Sequence, residues 1–200
     1  SGADSLALLS YSTIDLYGYG SIGGGLKSFT LNSGEIRGFN QSGGGVTISA
    51  DSLTLGNKAG VSGPGSVTSS AGTLNFNASQ ITLGSGTLAI NQFNAVSLNA
   101  TNVITSRGTG TLSVQNALTL STPLLASAAE SSRSITAGGA LSVQSSGTTT
   151  TAEAGLGAVL NLTGQNIALG TTITLPSGSL SVRSTTADLT VTGSLSVGGT

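Results

Sequence analysis

The chain has 200 residues, and only 6% of them are charged, against roughly 25% in an ordinary soluble domain. A formal charge of −1 with six scattered basic residues excludes an electrostatic grip on nucleic acid or an anionic membrane, so no nucleic-acid partner is expected. The lack of Cys and His excludes a disulfide framework, thiol catalysis, histidine triads and the common zinc sites.

The mean hydropathy of +0.28 and the regular placing of Leu, Ile and Val argue against a disordered linker, since disorder usually pairs low hydrophobicity with high net charge. No apolar run approaches the ~18 residues of a membrane span, and no charged-then-apolar leader opens the sequence. The pattern begins and ends in mid-phrase, so a single continuous segment, 1–200, of a longer protein is expected.

In chain order, Leu6/Leu8 and Ile14/Leu16 start a run of short alternating trios, followed by Leu26, Phe29/Leu31 and Ile36. The three tyrosines, Tyr11, Tyr17 and Tyr19, lie in this stretch among glycines. They either stack beside strands or form an exposed cluster that contacts sugar or protein. From Val46 the pattern sharpens: VTISADSLTLG at Val46–Gly56 is echoed by LNFNASQITLG at Leu74–Gly84, VSLNATNVITS at Val96–Ser106 and LNLTGQNIALG at Leu160–Gly170. Each trio puts two aliphatic side chains on one side of a strand and one polar side chain on the other. The leading residues Val46, Leu74, Val96, Leu118, Leu141, Leu160 and Leu180 stand 28, 22, 22, 23, 19 and 20 residues apart.

This repetition predicts an all-β fold, a parallel β-helix (solenoid) with three short strands per coil, about 21 residues per coil and roughly nine coils. Two alternating aliphatics per face and a coil longer than the ~18 residues of hexapeptide helices predict a right-handed one. Repetition is a physical necessity here. One coil buries about six aliphatic side chains, at roughly 1.5–3 kcal/mol each. Ordering its backbone costs about 1–2 kcal/mol per residue, so a coil is stable only when stacked. Open ends of such a stack are sheet edges, which predicts end-to-end self-association.

Two runs break the period. GVSGPGSVTSS at Gly60–Ser70 falls in the 28-residue interval and predicts a loop insertion near 60–70. SAAESSRS at Ser127–Ser134 predicts a second insertion near 127–134, with Glu130 and Arg133 spaced for an ion pair in a short helical turn. Gly147–Gly157 is the weakest coil, with threonines in place of aliphatics. Lys58, Arg107, Arg133 and Asp188 fall between trios and are expected at solvated corners, because an unpaired charge in a dry core is costly.

Chemistry is sparse. Asp4, Asp15, Glu35, Asp51, Glu130, Glu153 and Asp188 are spread along the chain, whereas polysaccharide lyases and hydrolases on β-helices need clustered carboxylates or a basic residue on one face. Asp51 and Lys58 bracket the strand Leu53–Leu55 as an opposite-charge pair. The runs Gly23–Gly25 and Gly43–Gly45 lack the Asp of a calcium-binding repeat and the ending of a phosphate loop. No Thr-x-Thr row suited to ice recurs. No catalytic, metal-binding or cofactor-binding residue is therefore expected, and binding residues stay unassigned.

Units such as VTISADSLTLG, TLNFNASQITLG and SLSVRSTTADLTVTGSLSV, with the opening run SLALLSYSTIDLYGYGSIGGGLKSFTLNSGEIRGF, resemble the filamentous haemagglutinin-type exoproteins of bacterial two-partner secretion. The likeness covers the whole chain and rests on patterning. It implies an internal piece of a right-handed β-helical shaft, exported through an outer-membrane β-barrel partner and folding at the bacterial cell surface. The function implied is a non-catalytic structural and adhesive rod in adhesion, aggregation or biofilm, meeting glycans or proteins of a host or neighbouring cell. The family's Asn-Pro-Asn-Leu and Asn-Pro-Asn-Gly secretion motifs do not occur in this stretch. The alternatives are an autotransporter adhesin passenger and a polysaccharide-processing β-helix enzyme or phage tail-spike.

Overall fold

The computed structural model describes residues 3–65, 70–148 and 155–198. It is all β, with parallel strands wound into a β-solenoid of about eight turns at about 23 residues each. Three faces make up each turn. The first is a seven-stranded sheet formed by β2 (Thr13–Tyr17), β5 (Glu35–Phe39), β8 (Gly86–Asn91), β10 (Thr109–Val114), β13 (Ser132–Ala137), β15 (Val159–Gly164) and β18 (Ser179–Ser184). The second holds β3 (Gly20–Ile22), the leading halves of β6 (Gly45–Gly56), β7 (Thr73–Leu83) and β9 (Ala95–Ser106), then β11 (Ala117–Ser121), β14 (Leu141–Gln144), β16 (Ile167–Gly170) and β19 (Leu189–Val191). The third holds β1 (Ser5–Leu9), β4 (Ser28–Asn32), the trailing halves of β6, β7 and β9, then β12 (Leu124–Ser127), β17 (Thr172–Thr174) and β20 (Leu195–Ser196).

Alternation within each trio decides which side chains enter the core. In β7, Leu74, Phe76, Ile81 and Leu83 are buried, while Asn75 and Thr82 are half-buried on the outside. Stacking repeats the choice from coil to coil, so Leu53, Ile81 and Ile104 form one interior column. The outward Thr30, Thr54, Thr82 and Thr105 form a matching exterior column. That threonine column is a single row, flanked by Ser28, Ser52 and Gln80 on one side and by Asn32 and Gly56 on the other. Asn99 donates to Asn77 at 2.8 Å, one rung of an asparagine ladder.

The period is longer than the sequence suggests, for a definite reason. On the second face Val46, Leu74, Val96, Leu118 and Leu141 do follow one another rung by rung. The next members are Ile167 and Leu189, whereas Leu160 and Leu180 lie on the first face, above Arg133. The sequence alignment slips by one face after Leu141. All the trios look alike, so nothing local marks the slip.

At two places a coil omits one strand. On the first face β5 pairs directly with β8, Glu35 opposite Ala89, and the described parts of the intervening segment, 57–65 and 70–72, are displaced outward. On the third face β12 pairs directly with β17, Leu124 opposite Thr172, and the described parts of the intervening segment, 145–148 and 155–157, are displaced. The other two faces keep their register past each omission, as in the ladder of β6 on β7 and that of β14 on β16. The insertion expected near 60–70 therefore falls in a displaced segment, although 66–69 lie outside the described residues. The insertion expected near 127–134 is not one. Ser127 ends β12, Ser132 begins β13, and a tight corner joins them, with Ser131 N donating to Ala128 O at 3.2 Å. The weak coil at Gly147–Gly157 is the real second interruption, and 149–154 of it lie outside the described residues.

Candidate functional site

The outer surface of the first face, over β2 and β5, carries the densest chemistry of the described residues. Asp15 and Arg37 are register partners on adjacent coils. Arg37 donates through Nε to Asp15 Oδ1 at 2.9 Å and through Nη2 to Oδ2 at 2.8 Å, a two-pronged pair that is mostly covered. The Arg37 guanidinium holds the Asp15 carboxyl below its ordinary value, and the carboxylate raises Arg37 in turn. Two residues further on, Tyr17 stacks on Phe39 with ring centroids 5.0 Å apart and planes 17° from parallel. The Arg37 guanidinium carbon lies 5.1 Å from the Phe39 centroid. Tyr17 thus does stack beside a strand, yet it is 68% exposed, and Tyr11 and Tyr19 are 74% and 73% exposed. Tyr19 packs over Gly44, where an added β-carbon would lie 3.0 Å from the tyrosine ring.

The displaced segment lies against the same surface. Glu35 points outward from β5 but is fully covered: its carboxylate accepts from Asn91 Nδ2 at 2.6 Å and from Gly65 N at 3.1 Å. Asn57 ties the start of the segment down, donating to Val61 O and Thr87 O at 2.6 Å each and accepting from Val61 N. Gly63 is required, because a β-carbon there would meet the Glu35 carboxylate at 2.3 Å. Where the segment leaves the shaft a cleft of about 470 Å³ opens beside Gly34, Val61 and Thr87. Where it returns, a cleft of about 190 Å³ lies between Phe39, Asn40, Gln41, Ser70 and Gln92. A third cleft, of about 420 Å³, lies beside Asp15, Tyr17 and Tyr19.

In sequence the carboxylates are spread along the chain. Folding brings Asp15 and Glu35 to one face on either side of Arg37, with Glu35 enclosed. No group of three or more metal-ligating side chains occurs among the described residues. Asp51 pairs with Lys27 one coil away at 3.0 Å, both exposed, and not with Lys58. Glu130 is exposed with a left-handed backbone, φ 55°, in a corner that has no helical turn.

Arg133 is a correction to the expected solvated corner. It lies inside β13, 2% exposed, on the inward-facing column that contains Gly110 and Gly86. The two glycines leave room for the side chain to run past two coils. Its guanidinium donates to the carbonyls of Leu83 at 3.1 Å, Arg107 at 3.2 Å, Gly86 at 3.4 Å and also Gly84. Burial pushes its pKa down, and carbonyl dipoles supply the stabilisation that a carboxylate would otherwise give. Its neighbours Ser132 and Ser134 look like a polar corner, so only the inward Ile135 and Ala137 that follow could have signalled a strand.

Compared with known proteins, the chain matches no family model, no curated protein and no solved structure. Among the described residues no helix is long and apolar enough to cross a membrane.

Proposed function

We propose that this chain is a structural and adhesive rod segment of a large bacterial surface protein, secreted through an outer-membrane β-barrel partner. The observation that carries the reading is the division of labour along the solenoid. Among the described residues the interior is mainly apolar, with Arg133 as its single inward-pointing charge and a few paired hydroxyls such as those of Ser106 and Ser127, and the reactive-looking side chains are gathered on the outside beside β5, against which segment 57–65 lies. A rigid shaft that presents a displaced segment and exposed tyrosines is suited to contact with another surface. The resemblance to haemagglutinin-type exoproteins supports the same reading, as does the very low charge, which limits repulsion from other surfaces.

The test is adhesion. Beads coated with the purified chain are expected to bind bacterial or epithelial cells, and Tyr17→Ala with Tyr19→Ala is expected to lower the bound fraction severalfold without lowering the melting temperature. Wild-type beads that bind no better than beads coated with albumin would refute the reading.

A further inference from the structure

We propose that the cleft between Phe39, Gln41 and Gln92 is a binding subsite for a single neutral sugar residue. Two buried amide oxygens carry the argument. Gln41 and Gln92 are 1% and 4% exposed, and the side-chain oxygen of each has no donor among the described residues. The Gln41 amide cannot be reversed to remedy this, since its nitrogen donates to Leu16 O at 3.1 Å and Phe39 O at 3.2 Å. A buried acceptor without a donor is destabilising, and two at one corner call for a ligand that brings donors.

Backbone conformation singles out the same corner. Five non-glycine residues among those described have positive φ, and three of them are Asn40 at 54°, Ser42 at 46° and Gln92 at 68°. Such conformations cost of order 1 kcal/mol each and gather at ligand sites. The displaced segment closes the cleft from one side with Ser70, whose hydroxyl is held by Asn94 and Asn116.

The chemistry of the lining narrows the ligand. Its acceptors are neutral amide oxygens and no carboxylate lines it, while the nearest cation, Arg37, already sits against Phe39. A metal ion or ammonium group would therefore lack a counter-charge, and an anion would find no cation in the lining. Hydroxyl donors fit both oxygens, and the Phe39 ring offers an apolar wall to carbon-bound hydrogens. The cleft of about 190 Å³ has the volume of about six water molecules in the liquid, which suits one sugar ring and not a longer chain. Both residues line this cleft.

This subsite names the ligand class of the adhesive reading and rests on it. The experiment is saturation-transfer NMR on the intact chain with glucose, galactose, mannose and N-acetylglucosamine, each added alone. At least one sugar is expected to receive saturation. Gln92→Met, which keeps the length and removes the acceptor, is expected to weaken that sugar about tenfold, the loss of one buried hydrogen bond. Gln80→Met, at an exposed position on the third face, is expected to leave it unchanged. Should Gln92→Met fail to fold, Gln92→Asn, which tolerates the left-handed backbone at φ 68° and draws the acceptor back by one methylene, carries the same comparison. Silence with all four sugars, or saturation that survives the variant, overturns the proposal. So does a rise in melting temperature with potassium, sodium or calcium chloride in the absence of a sugar signal, which would assign the oxygens to an ion. If cells adhere while the sugars stay silent, only the subsite falls. If cells do not adhere, the adhesive reading falls with it.

Discussion

Arg37 and Arg133 occupy strands of the same sheet and solve the same electrostatic problem in opposite ways. Arg37 points outward from β5, meets Asp15 on the next coil and keeps part of its surface in water. Arg133 points inward from β13, has no carboxylate partner among the described residues, and spreads its charge over four backbone carbonyls from two other coils. The difference follows from the column each occupies. The Arg37 column offers Asp15 on one side and Asn91 on the other, whereas the Arg133 column offers the two glycines Gly110 and Gly86. Where side chains line a column, a charge can find a partner side chain. Where they are missing, the exposed corner carbonyls do that work.

This contrast can be broken or sharpened by substitution. The largest effect is expected from placing a charge in the core where neither solution exists. Ile81→Asp buries a carboxylate in the aliphatic column between Leu53 and Ile104 and should cost more than about 4 kcal/mol, read as a collapse of the urea midpoint or failure to fold. Next comes Arg133→Ala, which leaves a void and strands several carbonyls, at a cost of about 2–4 kcal/mol. Arg133→Met fills the glycine column and should recover part of that loss. If Arg133→Ala were no more harmful than Arg37→Ala, the inward arginine would not be holding the coils together.

Arg37→Ala should cost about 1 kcal/mol, because the pair is partly screened by water. Its pH dependence has a definite sign. Asp15 titrates below its ordinary value in the folded chain, so its contribution is complete above the unfolded value and disappears as pH falls through the folded one. The stability difference between wild type and Asp15→Asn should be level above the ordinary carboxylate range and shrink as pH falls below it. The smallest effect is expected from Thr82→Asp, on the outside of β7, within about 0.5 kcal/mol of wild type by thermal melting. A loss there comparable to that of Ile81→Asp would overturn the inside–outside assignment of the strand.

Much of the fold was legible because alternation has a strict period of two and stacking copies it. The inward residues Ile48, Leu53, Leu74, Phe76, Ile81 and Leu98 can be named from the sequence, and all are buried. The omitted strands were only half legible. A 28-residue interval shows that extra chain exists between Val46 and Leu74, but not that β5 and β8 close up beneath it. Polar composition misled at Ser127–Ser134, where serines face the core and bond within it, as Ser106 does to Ser127 at 2.6 Å. The candidate site was less legible still. The tyrosines stand out in the sequence, whereas Gln41, Gln92 and Glu35 resemble any other polar residue of a strand end or corner.

By itself, then, the sequence determined the local grammar: short strands, which side of each faces inward, and the need to stack many of them. Those follow from the transfer of aliphatic side chains out of water, a property each trio carries on its own. Only the tertiary structure decided which trio lies above which, where a strand is left out, and which polar groups are thereby covered or paired. Those outcomes depend on contacts between residues a coil or more apart. Asp15 finds Arg37 22 residues away, Glu35 finds Asn91 56 away, and Arg133 reaches Leu83 50 away. No short stretch of sequence contains both halves of such a contact.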